Sequence, residues 1–273
     1  MIKTNFHTHT TYCDARSSAR EMVEAALAGG FDAIGFSGHA FTSFDQNCCM
    51  SREKTAAYRA EIAALRAEYA GKIRILCGLE QDLYSDDIPR GYDFIIGSVH
   101  YLLVNGEYLA IDESADILRA GVARLYGGDW MRFAEDYFAE TAKLADSPYI
   151  DMIGHFDTLV KFNEGNALFD EDDPRYVRAW GAALEKIAAS GKIVEINGGA
   201  VCRGFRSVPY PAPPILRRVR QYRLPVVLNC DCHFAPTMEQ GWTVAYNYAK
   251  ACGYDDAELD AYAKIVLDKK GAQ

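Results

Sequence analysis

The chain lacks the features of a membrane protein and of a nucleic-acid-binding protein. No apolar run approaches the roughly 18 residues that a membrane-spanning helix needs, and the first residues, MIKTNFHTH, lack the basic and apolar regions of a signal peptide. Basic residues are not in excess, because 29 Lys and Arg stand against 38 Asp and Glu and give a formal net charge of -9. Binding to a phosphate backbone relies on clustered cations. We therefore expect a cytoplasmic protein without a membrane or nucleic-acid partner, and the sequence leaves its oligomeric state open.

The eight cysteines lack any regular spacing and form no Cys-x-x-Cys pair. This pattern disfavours both a disulfide framework and a thiolate zinc site, so we expect reduced thiols. Cys230 and Cys232 flank Asp231 in the motif NCDCH. Because alternate residues of a strand point to opposite faces, these two thiols should face away from any site that Asp231 faces.

Short apolar segments alternate with longer amphipathic segments along almost the whole chain, which is typical of a parallel sheet covered by helices. Seven strands are predicted, over residues 3–7, 33–39, 73–80, 93–100, 149–155, 192–197 and 225–231. Seven strand-helix units favour an α/β fold, a TIM-like barrel that is one unit short of the eight-fold form.

The amphipathic segments predict helices over residues 18–30, 51–71, 130–145, 174–191, 213–222, 238–252 and 256–268. Ser17 or Ser18 and Ser51 are predicted N-caps, and Gly29, Gly71 and Gly191 are predicted helix ends. No linker, low-complexity tract or repeat interrupts the pattern, so we expect one domain over residues 1–273.

The chain has only six histidines, and every one lies at or just beyond the C-terminal end of a predicted strand. They are His7, His9, His39, His100, His155 and His233. In parallel α/β folds these strand ends open onto one functional face, so that side chains from different strands converge there. Three acidic residues, Asp14, Glu80 and Asp231, occupy equivalent places.

The spacing of two pairs suits chelation. His7 and His9, and likewise Asp231 and His233, stand two residues apart, and such side chains point the same way on extended backbone. A lone histidine is more often a hydrogen-bonded structural residue than a ligand, and a lone acidic residue is more often a cap or a surface charge. Six histidines in equivalent positions instead indicate a site of two or three divalent ions, and mixed imidazole and carboxylate ligands suit Zn, Fe or Mn.

The ordered motifs FHTHTTYCDA, GFSGHA, GLEQD, GSVHYL, IGHFD and NCDCH resemble those of the polymerase and histidinol phosphatase (PHP) family, in its stand-alone histidinol-phosphatase branch. The resemblance spans the chain and implies a distorted (β/α)7 barrel with a trinuclear metal site at the C-terminal ends of the strands. It departs from the family pattern at Asp14, where many members carry a nearby histidine, and at SGH before His39, where TDH is more usual.

Carried over motif by motif, the resemblance implies three sets of ligands. The first metal takes His7, His9, Glu80 and Asp231; the second shares Glu80 and adds His100 and His155; the third takes Asp14, His39 and His233. The implied activity is hydrolysis of L-histidinol phosphate to L-histidinol and phosphate in histidine biosynthesis. A hydroxide between the first two metals would attack phosphorus, and Asp231 or His233 would protonate the departing alkoxide.

Three basic residues are predicted to bind the substrate. Arg203 and Arg206 lie in the loop after the sixth strand, which resembles the substrate loop of the family, and arginine is the natural bidentate partner of phosphate. Lys161 follows His155 by six residues and would add a positive charge. An ordinary surface role is the alternative for each of them. The acidic stretch FDEDDPR at 169–175 would cap a helix, or would lie near the site and attract the substrate amine.

Other functions fit the sequence less well. A PHP phosphoesterase for another phosphomonoester, a nucleotide or a phosphotyrosyl protein is the main alternative. A noncatalytic metal-bound module would be expected to have lost ligands, and all nine are present. An amidohydrolase would need a bridging lysine from the middle of the barrel, where Glu80 stands instead.

Overall fold

The computed structural model describes residues 1–269, and seven parallel strands form a nearly closed barrel at its centre. The strands lie in the order β1-β2-β3-β4-β7-β8-β9. Their bounds are Thr4–Asn5 (β1), Ala33–Phe36 (β2), Arg74–Asp82 (β3), Phe94–Ser98 (β4), Met152–Ile153 (β7), Ile193–Asn197 (β8) and Val226–Asn229 (β9). All seven predicted strands are confirmed, although β1 and β7 contain only two residues each.

Nine α-helices are found within residues 1–269, and most of them cover the outside of the barrel. Their bounds are Ala19–Ala28 (α1), Arg52–Glu68 (α2), Ala115–Tyr126 (α3), Trp130–Lys143 (α4), Pro174–Ser190 (α5), Gly199–Cys202 (α6), Pro213–Gln221 (α7), Met238–Ala251 (α8) and Asp256–Asp268 (α9). Ser18 caps α1 in a reciprocal arrangement with Glu21, and Ser51 caps α2, as predicted. No helix in this part of the chain is long and apolar enough to span a membrane.

The segment between β4 and α4 contains elements that the sequence analysis did not predict. Strands β5 (Tyr101–Val104) and β6 (Glu107–Ala110) pair as an antiparallel hairpin, and α3 follows. The hairpin turn consists of Asn105 and Gly106, both with positive φ, as a type I′ turn requires. The hairpin brings the chain back to its starting point, because the amide of Ile111 donates to the carbonyl oxygen of His100 at 2.9 Å.

Two asparagine side chains help to close the barrel between its first and last strands. The side chain of Asn5 accepts from the amide of Cys230 at 2.9 Å, and the side chain of Asn229 accepts from the amide of Phe6 at 2.7 Å. Backbone bonds continue the seam above them, from Cys232 to the carbonyl oxygen of His7 and from His9 to that of Cys232. The metal-site candidates at both ends of the chain are therefore held side by side.

The inside of the barrel has a separate apolar core. It consists of Phe6, Ala33, Leu76, Phe94, Ile96, Met152, Ile193 and Val227, with Val266 of α9 packed against them. A larger hydrophobic cluster lies between the sheet and the surrounding helices. Toward the C-terminal ends of the strands, polar side chains replace apolar ones on the inner face, and this polar layer forms the floor of the candidate site.

Candidate metal centre

All nine predicted ligands converge at the C-terminal end of the barrel. Glu80 lies within β3, and the other eight follow the ends of β1, β2, β4, β7 and β9. His7, His9 and Glu80 have side chains that are at most 1% exposed, whereas Asp14, His39 and His233 are partly exposed. The cluster therefore runs from a buried floor to the edge of a solvent-accessible cavity.

Glu80 occupies the middle of the cluster and presents its two oxygens to different histidines. Its Oε2 lies 3.2 Å from His7 Nε2 and 3.3 Å from His9 Nε2. Its Oε1 lies 3.3 Å from His100 Nε2 and 3.0 Å from His155 Nε2, and these two nitrogens are 3.3 Å apart. This arrangement suits a carboxylate that bridges two neighbouring ions.

Asp231 reaches the same floor from the opposite side. Its Oδ1 lies 3.3 Å from His9 Nε2 and 3.6 Å from His7 Nε2. Asp231 has a φ of 48°, in the left-handed region that Asp and Asn tolerate better than most residues. The chain turns here directly after β9, so Asp231 and His233 both face the cluster.

A third group lies nearer to solvent and is formed by Asp14, His39 and His233. Asp14 Oδ2 is 3.2 Å from His233 Nε2, and Asp14 Oδ1 is 3.8 Å from His39 Nε2. His9 Nδ1 also faces this group, at 3.6 Å from Asp14 Oδ1. His39 lies between two groups, because its Nδ1 is 3.1 Å from Glu80 Oε2.

The hydrogen-bonding inventory of the buried floor fits bound metal. His7 Nε2, His9 Nε2 and Glu80 Oε2 are all buried and have no hydrogen-bond partner, yet they face one another. Leaving such atoms unpaired is costly, whereas a divalent ion between them would satisfy all three at once. The candidate ligands form four overlapping groups, and within each group the ligand atoms lie within 4.8 Å of one another. The donor set of imidazole and carboxylate fits Zn, Fe or Mn.

The charges of the cluster strongly affect proton binding. Burial alone would lower the pKa of His7, but the carboxylates of Glu195, Glu80 and Asp231 raise it to about 10. Burial would raise the pKa of Glu80, but the surrounding histidines hold it well below its usual range. In the absence of metal, His7 is therefore protonated at neutral pH and Glu80 is ionised.

Two further carboxylates support the histidines from behind, and the sequence analysis missed both. Glu195 Oε1 accepts from His7 Nδ1 at 2.5 Å, and Asp82 Oδ2 lies 3.2 Å from His100 Nδ1. Each contact leaves the Nε2 atom of its histidine directed at the cluster. The signal in the sequence was Glu195 and Asn197 at i and i+2 of a buried strand, which places two polar side chains on one inward face.

A cavity of about 570 Å³ opens above the cluster. Its wall includes Arg203, Lys161, Asp112, Tyr210 and Phe205. Arg203 Nη2 donates to Asp231 Oδ2 at 2.9 Å, and Lys161 Nζ lies 3.2 Å from Asp112 Oδ2. Two of the three predicted substrate residues therefore line the cavity beside the candidate ligands.

Arg206, the third predicted substrate residue, is directed elsewhere. Its Nη1 contacts Glu171 at 3.1 Å and donates to the carbonyl oxygen of Val160, and its Nε lies 3.5 Å from Glu164. It lines a different cavity, next to α5. The acidic stretch at 169–175 belongs to the same region, where Asp173 caps α5 as predicted and Glu171 pairs with Arg206.

The cysteines are also found as predicted. All eight are free thiols. Cys230 and Cys232 are buried in the hydrophobic core, whereas Asp231 between them faces the cluster.

Comparisons with known proteins agree with this geometry. The family model of the PHP domain matches residues 5–199. A probable histidinol-phosphatase of Deinococcus radiodurans is 31% identical over 245 residues, which cover 83% of this chain and 85% of that protein.

Two solved structures share the fold. The candidate histidinol phosphatase of Listeria monocytogenes has a TM-score of 0.78 at 20% identity, over 88% of this chain and 99% of that one. The histidinol phosphate phosphatase of Lactococcus lactis, crystallised with zinc, L-histidinol and phosphate, has a TM-score of 0.62 at 18% identity, over 93% and 94%. The family match, the relative from Deinococcus and the barrel with its histidine cluster lead to one conclusion: this chain belongs to the PHP family.

Proposed function

We propose that this protein is a metal-dependent phosphatase that hydrolyses L-histidinol phosphate to L-histidinol and phosphate. The observation that carries the proposal is the position of Glu80, whose two oxygens face two sets of buried imidazole nitrogens on the floor of a cavity lined by Arg203. The similarity to histidinol phosphatases, including the Lactococcus structure with L-histidinol and phosphate, supports the choice of substrate.

We assign the nine predicted residues as ligands of two or three divalent ions. The Glu80 floor would hold two ions, with Asp231, His7 and His9 on one side and His100 and His155 on the other. Asp14, His39 and His233 would hold the third. Bound ions would lower the pKa of water and neutralise charge on the phosphoryl oxygens, which this slow hydrolysis requires.

The remaining polar groups of the cavity bind and orient the substrate. The guanidinium of Arg203 is fixed by Asp231, with Nη1 donating to its carbonyl oxygen at 2.9 Å and Nη2 to its side chain. This places a permanent positive charge where the phosphate would lie. Lys161 supplies a second cation at the cavity wall. Of the two predicted proton donors, Asp231 is the less suitable, because Arg203 and His7 hold the pKa of this buried carboxyl well below its usual range.

Asp112 is the group that we assign to the ammonium of the substrate. Its carboxylate lines the cavity, and Lys161 keeps its pKa near 2 against the effect of burial, so it is ionised at every working pH. Histidinol phosphate carries one phosphate and one ammonium group. On binding, the phosphate would pair with Lys161 and the ammonium with Asp112, so the present ion pair would be exchanged for two pairs with the substrate.

Phosphate release from L-histidinol phosphate, compared with p-nitrophenyl phosphate, a nucleoside monophosphate and a phosphotyrosyl peptide, tests this function. The protein is loaded with zinc or manganese and its metal content measured, and His9→Ala serves as the inactive control. We expect a strong preference for histidinol phosphate. Turnover of other esters alone would overturn the substrate assignment, and bound metal without any turnover would indicate a noncatalytic module.

Asp112→Asn tests whether Asp112 binds the ammonium group of the substrate. We expect kcat/KM to fall about 10- to 100-fold for histidinol phosphate, the loss typical of one charge-assisted contact, and little for p-nitrophenyl phosphate, which has no ammonium. Asp116→Asn is the matched control, because Asp116 lies four residues away and is 95% exposed. Equal losses on both substrates would exclude an amine-reading role.

We also propose that the chain folds as a single domain and that it works in the cytoplasm. The eight free thiols support the cytoplasmic location, because reducing compartments keep cysteines in that state.

A further inference from the structure

The chain contains a second glutamate at the centre of the barrel, Glu195 of β8, that faces the metal-site candidates from below. Its side chain is fully buried. Buried carboxylates are rare unless several donors satisfy them, so the partners of Glu195 indicate its role.

Four hydrogen bonds converge on this carboxylate, two on each oxygen. Oε1 accepts from His7 Nδ1 at 2.5 Å and from Asn229 Nδ2 at 2.9 Å. Oε2 accepts from the backbone amide of His155 at 2.7 Å and from Asn197 Nδ2 at 3.0 Å. Glu195 therefore contacts one histidine through its ring and another through its backbone.

The asparagines that donate to Glu195 are themselves fixed. Asn229 accepts from the amide of Phe6 at 2.7 Å, and Asn197 accepts from the amide of Gly199 at 2.8 Å. Each amide side chain thus has its oxygen on backbone and its NH₂ on Glu195, which leaves one orientation for both. The donors come from the C-terminal ends of four strands, β1, β7, β8 and β9, and together they fix the orientation of the carboxylate toward His7.

The bond to His7 determines which of its nitrogens is available. When Nδ1 carries the proton and donates to Glu195, Nε2 keeps its lone pair, and Nε2 is the atom that faces Glu80 and Asp231. A carboxylate behind a metal-bound imidazole also makes it a more basic ligand. His155 lacks such support, because its Nδ1 is buried without a partner, and Glu195 instead fixes its backbone.

We propose that Glu195 is a positioning residue that fixes the tautomer and direction of His7 and the backbone of His155, and thereby sets the affinity of the floor for its metal ions. This inference rests on the metal site proposed above. Glu195 does not line the cavity above the cluster, so it acts only through the two histidines.

Glu195→Gln is the sharpest variant, because it keeps the shape and removes one acceptor. Each oxygen of Glu195 receives two donors, so whichever way the amide is oriented, its NH₂ faces two N–H groups. We expect zinc affinity, measured by competition with a chromogenic chelator, to fall about 10- to 100-fold, the range typical of lost second-layer contacts. Glu195→Asp keeps the charge and should recover part of that loss.

Asp157→Asn is the matched control, since Asp157 is also a fully buried carboxylate and its Oδ2 accepts a backbone bond, from Ala212. We expect its zinc affinity to equal that of the wild type. The melting temperature of each metal-free protein separates positioning from general stability. A purely structural Glu195 would lower that temperature in the variant and leave zinc affinity unchanged, which would overturn the inference.

The imidazole nitrogens of zinc-loaded protein, observed by ¹⁵N NMR, give a second readout. We expect His7 of the wild type to carry its proton on Nδ1 and to lose that fixed signature in Glu195→Gln. A wild type that binds no metal would refute the proposed site itself. A wild type and a Glu195→Gln variant that bind zinc equally, with His7 unchanged, would refute only the role of Glu195.

Discussion

The barrel interior has a lower end, which is the apolar core, and an upper end, which is the polar layer at the C-terminal ends of the strands. The same strands supply residues to both ends. On β8, Ile193 and Glu195 point inward two residues apart, and both are buried. On β9, Val227 belongs to the apolar core, whereas Asn229 belongs to the polar layer. These four residues are all buried, so burial does not distinguish the two ends. The lower end is stabilised by apolar packing, whereas at the upper end every buried polar atom needs a partner, and in the proposed site some of those partners are metal ions.

The largest effect should follow from removing the shared carboxylate of the upper end. We expect Glu80→Gln to reduce phosphatase activity by on the order of 10⁴-fold, because losing a bridging ligand removes several kcal/mol of stabilisation of transition-state charge. Phosphate release and metal content per chain measure this. A variant with full metal content and wild-type turnover would contradict the central place given to Glu80.

The lower end should respond in stability and not in chemistry. Phe94 is 1% exposed and its ring lies against β2 and β3, where a Cβ at Gly35 or Gly78 would collide with it. We expect Phe94→Ala to lower the free energy of unfolding by about 4 kcal/mol because it leaves a cavity. Denaturant unfolding gives this value. Zinc affinity of the folded variant should stay near that of the wild type, and a large loss would mean that the two ends are not independent.

Metal removal should lower the free energy of unfolding, because the polar atoms of the upper end lose partners. Zinc at 100 times its dissociation constant is expected to raise the free energy of unfolding by about 2.7 kcal/mol per site, because it binds the folded chain. Thermal unfolding with zinc and with excess chelator measures the difference. The zinc-dependent shift should persist in Phe94→Ala and shrink in Glu195→Gln. The reverse order would contradict the claim that the upper end binds metal independently of the lower end.

The smallest effect, counted per pH unit, is on zinc affinity. Without metal, the pKa of His7 is raised to about 10, so this histidine is protonated at neutral pH and zinc must displace the proton. Affinity should therefore rise with pH between 6 and 8, by about tenfold per unit for each proton released, and level off above about pH 10. Chelator competition at several pH values tests the sign. An affinity that is flat or falls over this range would show that His7 is not a ligand.

Most of the barrel and its ligand cluster could be predicted from the sequence. Strand periodicity and six histidines in equivalent positions are local signals, and local signals are readable without coordinates. The β5–β6 hairpin was not among the predicted elements, although Asn105-Gly106 between apolar segments is a strong turn signal. Helix α3 was missed as well, and its Gly121 permits close packing on Leu109, where a Cβ would lie 2.1 Å from Leu109 Cδ1.

The supporting residues were less accessible for a physical reason. The role of Glu195 and its partners Asn197 and Asn229 depends on contacts between distant parts of the chain. His7 and Glu195, for example, are 188 residues apart in the sequence. Arg206 is an example in which the sequence suggested a contact and distant residues prevent it. Its position in the loop suggested a phosphate contact, but Glu171 and Glu164, which are distant in sequence, hold its guanidinium in another cavity. Such pairings depend on topology and not on local spacing.

The seam between β1 and β9 places a time order on metal capture. Asn5 bonds to Cys230 and Phe6 to Asn229, across 225 and 223 residues of chain. During synthesis, His7 and His9 leave the ribosome more than 220 residues before Asp231 and His233. A chain that stops before Asp231 therefore lacks two of the nine candidate ligands and has no closed seam. If the proposed site is correct, tight zinc binding requires that synthesis has passed residue 233 and that the barrel has closed.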